Sequence, residues 1–242
     1  LSVTSVRPQS RPWYWLDVFT DRPLAGNGLA VVLEADGIGP ETMLAFAREV
    51  GLSETTFVQT ADDGQADYLN RIWTVGGEIP FAGHPSLGTA VAVALDSLGG
   101  DPAGPGREFS FRQQTAAGVQ EVTAQFGEDG WQASVHQGTV TFGETFGRER
   151  VARALGLAEA RMDPELSCQI VSTGLPALLA PVADLESLAE CRPDFTALRE
   201  LDQSPALNLY AFVHERGSRT IRARCFGADL AGVEDPATGS AA

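Results

Sequence analysis

The spacing of apolar and polar positions changes character several times along this chain, and each change predicts an element. Trp13–Phe19 carries aromatic and branched residues around Asp17 and predicts a strand. A turn over Asp21–Gly28 carries Pro23, Gly26 and Gly28, and a short apolar strand follows at Leu29–Leu33. Glu41–Val50 places Met43, Ala47 and Val50 at helical spacing, with Gly51 where a glycine stops a helix. Thr55–Val58 and Tyr68–Val75 read as strands on either side of a polar turn at Ala61–Ala66.

The most informative pattern begins at Pro85, placed at the first helical position. Leu87, Ala90, Val91, Ala94, Leu95 and Leu98 recur at helical spacing, and the first ten residues from Pro85 carry no charge. A helix apolar on every face is buried on every face, so a sheet is expected to wrap around it. Its first N–H groups still need partners, so its N-terminus should open on a site.

Further strands are predicted at Glu108–Gln113, Val119–Phe126, Trp131–Val135, Gln169–Ser172, Ala177–Pro181, Leu207–His214 and Thr220–Phe226. Helices are predicted at Gly147–Leu155, Leu185–Cys191 and Phe195–Leu201. Strands and helices do not alternate strictly, which favours α+β over a doubly wound sheet. The segment Glu78-Ile79-Pro80-Phe81-Ala82-Gly83-His84 lies over Glu234-Asp235-Pro236-Ala237-Thr238-Gly239-Ser240 at a constant offset of 156, with Glu, Pro and Gly in common. Each copy follows an arginine-bearing strand, Arg71 in one case and Arg222 and Arg224 in the other. The repeat predicts two similar halves, each presenting a helix N-terminus to a shared cleft suited to a small carboxylate.

Composition narrows the chemistry. The chain of 242 residues has 32 acidic and 17 basic residues, a net charge of −15, which leaves no electrostatic footprint for nucleic acid or an anionic membrane. All the basic residues are arginine; without lysine there is no Schiff-base, pyridoxal-phosphate or Walker-loop chemistry. Cys168, Cys191 and Cys225 show no C-x-x-C spacing, and His84, His136 and His214 form no local metal box, so neither metal nor cofactor is expected. No apolar run has the length of a signal peptide or a membrane span, and a soluble cytoplasmic protein is the expectation. Residues 1–12 read as a flexible leader with no initiator Met, as if the numbering began inside a longer chain. The ending Gly239-Ser240-Ala241-Ala242 looks like the opening of a helix, so a further segment, helical at first, is expected.

Four motifs in register resemble the phenazine-biosynthesis PhzF-like family. They are Asp17-Val18-Phe19-Thr20 with Pro23-Leu24-Ala25-Gly26-Asn27, Leu52-Ser53-Glu54-Thr55-Thr56-Phe57, Pro80-Phe81-Ala82-Gly83-His84-Pro85, and Glu234-Asp235-Pro236-Ala237-Thr238-Gly239-Ser240-Ala241. The resemblance runs from Trp13 to the chain end. It implies a diaminopimelate epimerase-like α+β fold of two similar halves, each a curved sheet around a central buried helix. The halves are set here at residues 13–125 and 126–242. It further implies a cofactor-independent isomerase, commonly a homodimer serving secondary-metabolite biosynthesis, that shifts a proton on a small unsaturated carboxylic acid. Epimerisation at one carbon, or non-catalytic binding of a small acid, are the alternatives.

The resemblance assigns Glu54 as the proton-shuttling carboxylate, and enclosure between two halves would raise its pKa toward the working pH. Read without it, Glu54 is a capping or ion-pair carboxylate. His84 is a helix N-cap on its own terms and an active-site residue by resemblance. Asp235 is either the start of an Asp-Pro turn or a substrate contact. Gly83 and Gly239 allow close backbone approach to a ligand, and Ser240 either caps the second helix or binds the substrate carboxylate. Asn27 is a turn residue in the left-handed region or a polar wall of the cleft. Gly28 stands where the family commonly has proline. The related racemases use a cysteine at each helix N-terminus; the equivalent places here hold Ala82 and Thr238, which disfavours a two-thiol mechanism.

Overall fold

The computed structural model describes residues 10–61, 64–99, 104–201, 208–215, 217, 220–227 and 234–239. Two mixed sheets divide them. The first contains β1 (Trp13–Val18), β2 (Asn27–Val32), β3 (Glu54–Gln59), β4 (Tyr68–Trp73), β5 (Glu78–Ile79), β6 (Arg107–Thr115), β7 (Gly118–Gly127) and β8 (Gly130–Val135). Its order is β1-β2-β3-β4-β6-β7-β8, with β5 on β4. The second contains β9 (Thr141–Phe146), β10 (Cys168–Ser172), β11 (Pro176–Pro181), β12 (Asn208–His214), β13 (Ile221–Gly227) and β14 (Glu234–Asp235), in the order β14-β13-β12-β11-β10-β9. A division at residue 126 would cut β7; β8 continues the first sheet, so the structural change of sheet falls between Val135 and Thr141.

Helix α1 (Pro40–Val50) connects β2 to the parallel β3, and Gly51 closes it at φ 69° in the left-handed region, which glycine tolerates best. Helix α2 (Gly83–Ser97) lies inside the curl of the first sheet and touches seven of its strands, β1 to β4 and β6 to β8. Ala90, Ala92 and Ala94 are fully buried: small side chains let a helix backbone approach strands on several sides. Gly88 is part of the same fit, since a Cβ there would stand 2.5 Å from Leu29 Cδ2. The buried hydroxyls of α2 are matched by side chains of the sheet. Thr89 Oγ1 meets Thr56 Oγ1 at 2.9 Å, and Ser86 Oγ accepts from Gln113 Nε2 at 2.9 Å. Asn70 Nδ2 donates to Gln113 Oε1 at 2.9 Å.

Burial of α2 is not uniform around its circumference. The sheet does not close between β1 and β8, and a groove of about 830 Å³ opens there onto Leu87, Val91 and Leu95. The uncharged stripe therefore predicts burial correctly on the sheet side and overstates it along this seam. The start of α2 also differs from expectation. Its N-cap is Ala82, so Pro85 is the third helical residue, where its missing N–H is still one of those outside the ladder.

In the second sheet, α3 (Arg148–Ala154), α4 (Leu185–Glu190) and α5 (Phe195–Leu201) cover one face, and Leu155, Leu178, Leu198 and Leu209 lie at the centre of the core between them. Asp184 caps α4, its Oδ1 accepting from Ser187 N–H and Oγ–H at 2.7 Å each. The second central helix expected after Gly239 falls outside the described residues.

The two halves repeat one plan. In the first, β1 pairs antiparallel with β2, β2 parallel with β3 across α1, and β3 antiparallel with β4, which turns back as β5. In the second, β10, β11, β12, β13 and β14 follow the same sequence of pairings, with α4 and α5 in the crossover. Glu78 stands opposite Trp73, and Glu234 stands opposite Phe226. Arg71 grips Glu78 with two bonds of 2.7 Å and lies over Trp73; Arg224 grips Glu234 at 2.8 and 2.7 Å and lies over Phe226. Glu78 and Glu234, at the offset of 156 read from the sequence, are thus structurally equivalent, while Arg71 and Arg224 on the preceding strands match at an offset of 153.

Candidate active site between the two halves

A small cavity of about 30 Å³ lies where the repeated hairpins face one another. Beside His84 and Leu175, its lining falls into pairs related by the repeat: Ile79 with Asp235, Ala82 with Thr238, Gly83 with Gly239, and Glu54 with Asn208. Glu54 opens β3 as Asn208 opens β12, so the two side chains enter the cleft from equivalent corners. The groove beside α2 is much larger, but apolar strand edges and helix residues form most of its lining. Convergent polar side chains make the smaller cavity the candidate site.

His84 is the second residue of α2 and is 6 % exposed; the helix start has no side-chain cap, so the N-cap reading does not hold. Its Nε2 lies 3.6 Å from Glu54 Oε2. Burial pushes the imidazole pKa down to about 3, so near neutral pH this contact joins a carboxyl group to an uncharged ring and is not an ion pair. The Phe19 and His84 rings form a T-shaped pair with centroids 6.4 Å apart. The φ of Phe19 is 64°, a conformation that costs a bulky residue about 1–2 kcal/mol and is held here against the site. Gly239 follows from the same ring: a Cβ there would stand 2.5 Å from Phe19 Cζ.

Asn27, the first residue of β2, is 1 % exposed and has no positive φ, which removes the left-handed turn reading. Its side chain lies beneath the cleft. Nδ2 faces Asp235 Oδ1 at 2.7 Å, the Ala237 carbonyl at 2.9 Å and His84 Nδ1 at 3.3 Å, and Oδ1 accepts from Ser53 Oγ–H at 3.0 Å. Thr238 Oγ1 donates to Asp235 Oδ2. Glu54, His84, Asp235, Gly83 and Gly239 are thus brought together, with Asn27 behind them, while Ser240 lies outside the described residues. Sequence reasoning did not single out Asn208, Ser53 or Phe19 as site residues. Ser53 and Phe19 lie within quoted motifs without being read as site residues, and Asn208 carries no local motif signal: the constant offset of 156 would match Glu54 with Tyr210 instead.

Cys168, Cys191 and Cys225 are buried in the second half and none lines the cleft. Burial raises the Cys168 and Cys191 thiols to about 11. Among the described residues no group of three or more histidine, cysteine, aspartate or glutamate side chains is placed to hold a metal ion. No described helix is long and apolar enough to cross a membrane.

A carboxyl group and a neutral imidazole thus meet beside the N-terminus of α2, on an epimerase-like fold. The fold is shared with a hydroxyproline epimerase from Agrobacterium vitis, TM-score 0.58 at 15 % identity over 92 % of this chain and 72 % of that one. Residues 16–242 match the family described as phenazine biosynthesis-like protein, PhzC-PhzF, and the chain belongs to that family. A curated relative, the uncharacterized isomerase YddE of Escherichia coli (strain K12), is 32 % identical over 94 % of this chain and 75 % of its own length. Another, the trans-2,3-dihydro-3-hydroxyanthranilate isomerase of Pseudomonas fluorescens, is 33 % identical over 94 % of this chain and 75 % of its own. The solved structure of a predicted epimerase, PA4716 from Pseudomonas aeruginosa, has a TM-score of 0.78 at 34 % identity, covering 96 % of this chain and 78 % of that one. The protein is an isomerase of this family.

Proposed function

We propose that this isomerase moves a proton between two carbons of a small unsaturated carboxylic acid, with Glu54 as the carrier. The observation that carries the reading is the Glu54–His84 pair, 3.6 Å apart and enclosed where the two halves meet. As a carboxylate, Glu54 takes a proton from one carbon, and the electron pair of that C–H bond becomes part of a new double bond. The displaced π pair takes the same proton back from Glu54 at the second carbon. Atoms and charge balance, and Glu54 returns to its starting state. One carboxyl group serving as base and then acid is economical only on one face of the substrate.

The substrate carboxylate rests on N–H groups at the start of α2 around Gly83 and on the backbone at Gly239, where the helix end favours negative charge. His84, uncharged near neutral pH, contributes a hydrogen bond rather than a charge. Asp235 accepts a hydrogen bond from a polar group of the substrate. A cavity of 30 Å³ holds about one water, so admitting such an acid requires Phe19 or the Asp235–Gly239 segment to move aside. All these roles belong to side chains and backbone of this chain, and the reading needs no cofactor.

The test is Glu54→Gln, which keeps shape and hydrogen bonding and removes the titratable proton. Turnover should fall about 10²–10⁴-fold, while affinity measured by calorimetry should change little because the carboxylate anchor is elsewhere. The acid named in the Pseudomonas fluorescens relative, trans-2,3-dihydro-3-hydroxyanthranilate, is the first substrate to try. Undiminished turnover in the variant would remove Glu54 from the mechanism.

A further inference from the structure

The hydrogen bonds around Asn27 decide which nitrogen of His84 carries the proton. Asn27 Nδ2 faces a carboxylate oxygen at 2.7 Å and a backbone carbonyl at 2.9 Å. Both are acceptors only, so the amide nitrogen, not its oxygen, must stand there. The amide oxygen then faces Ser53, whose hydroxyl donates to it at 3.0 Å. With the amide fixed this way, the third neighbour of Nδ2 is His84 Nδ1 at 3.3 Å. An amide –NH₂ has no lone pair to offer, so an N–H at Nδ1 would point donor at donor. Nδ1 must therefore be the bare nitrogen, and a neutral ring then carries its proton on Nε2.

We propose that Asn27, itself oriented by Ser53, is a positioning residue that holds His84 as the Nε2–H tautomer, so that the histidine offers the cleft a proton and not a lone pair. Burial favours the neutral ring on which this depends. The consequence is directional. Nε2 is buried, faces Glu54 Oε2 at 3.6 Å and has no hydrogen-bond partner among the described residues. A buried N–H left short of a partner beside a cavity suits an acceptor atom on the bound acid. His84 thus serves as a donor, and proton removal is left to Glu54. The same amide spans the two halves, since Asn27 belongs to β2 whereas Asp235 and Ala237 belong to the second hairpin and the segment after it. Tautomer and closure of the cleft are therefore set by one side chain.

This proposal deepens the acid–base reading above and rests on it for its functional meaning, but its test needs no turnover. The chain has three histidines, so a sample labelled with ¹⁵N in the imidazole rings gives a simple spectrum, and His84→Asn assigns the signals. In the wild-type protein at pH 7, long-range ¹H–¹⁵N correlations should show His84 with Nε2 protonated and Nδ1 bare. Asn27→Asp, which puts an acceptor at Nδ1, should move the population to the Nδ1–H form or to the doubly protonated ring. Asn27→Ala, which leaves no side-chain partner, should give a mixture. Wild-type His84 protonated at Nδ1 would overturn the proposal without any variant having to fold. So would an unchanged Nε2–H signal in a folded Asn27→Asp or Asn27→Ala protein. If the tautomer is as stated while Glu54→Gln keeps full turnover, the proton-shuttle reading fails and the positioning of His84 stands.

Discussion

The two halves of the molecule are built to one plan and bring different side chains to the cleft. Each has a parallel strand pair joined by helix, then a hairpin whose arginine grips the glutamate at the start of a two-residue strand. Each delivers a glycine to the cleft, Gly83 or Gly239, at equivalent places. The frame is symmetric, but the side chains at its corners are not. Where the first half supplies Glu54, the second supplies Asn208; where the first supplies Ile79, the second supplies Asp235. A duplicated scaffold can furnish backbone N–H groups from both sides without help from sequence. Acid–base groups are side chains and can diverge one corner at a time. This asymmetry is what the proposed reading, a reaction with a single titrating carrier, requires of this fold.

The strongest way to break the asymmetry is to erase it. Glu54→Asn makes the two corners alike and should lower turnover about 10²–10⁴-fold, measured as kcat. Adding Asn208→Glu moves the carboxylate to the opposite corner, away from His84, and should not restore activity. Recovery to within a few fold of wild type would show that the corners are interchangeable.

The hairpins offer a sharper structural comparison. Arg224 also donates to the carbonyls of Leu188 at 3.0 Å and Cys191 at 3.2 Å, tying its hairpin to the end of α4, whereas among the described residues Arg71 hydrogen-bonds Glu78 alone. Arg224→Met should therefore cost about 2–3 kcal/mol of stability and Arg71→Met about 1–2, read by urea denaturation. Equal losses would mean that the extra carbonyl bonds of Arg224 contribute nothing.

A smaller effect, spread over pH, follows from His84. Its pKa is about 3 folded and 6.5 as the ordinary value. Above pH 6.5 neither state binds the proton; between 6.5 and about 3 the unfolded chain binds it and the folded chain does not. Stability contributed by this residue is thus full above pH 6.5 and falls by about 1.4 kcal/mol per pH unit as pH drops toward 3. His84→Asn should show a shallower loss of stability between pH 6 and 4, measured at matched ionic strength. Parallel curves for the two proteins would contradict the buried neutral ring.

What the sequence disclosed, and what it did not, follows the range of the interactions involved. Helix α1, its glycine stop, and the uncharged stripe of α2 are written in local periodicity, and the repeat is written in identities at a fixed offset. Strands β5 and β14 have two residues each, too few for any period to register. Strand β9 is mostly exposed, with only Phe146 buried, so it lacks the alternation that marks a half-buried strand. The open seam beside α2 depends on which strands end the sheet, a matter of topology that composition does not encode. Glu54, His84 and Asp235 were reached through motifs, but the bond from Asn27 to Asp235 joins residues 208 positions apart, and no local pattern announces it.

The central claim is that one carboxyl group of the first half carries the same proton from one carbon to another. The most direct measurement uses substrate deuterated at the migrating position and turned over once in ordinary water, with the product examined by NMR and mass spectrometry. A single carrier on one face returns part of the label, so the product should hold deuterium at the new carbon, and Glu54→Gln should give neither product nor loss of label on the same timescale. Complete loss of the label to solvent in the wild-type protein, or product formed at an undiminished rate by Glu54→Gln, would contradict it.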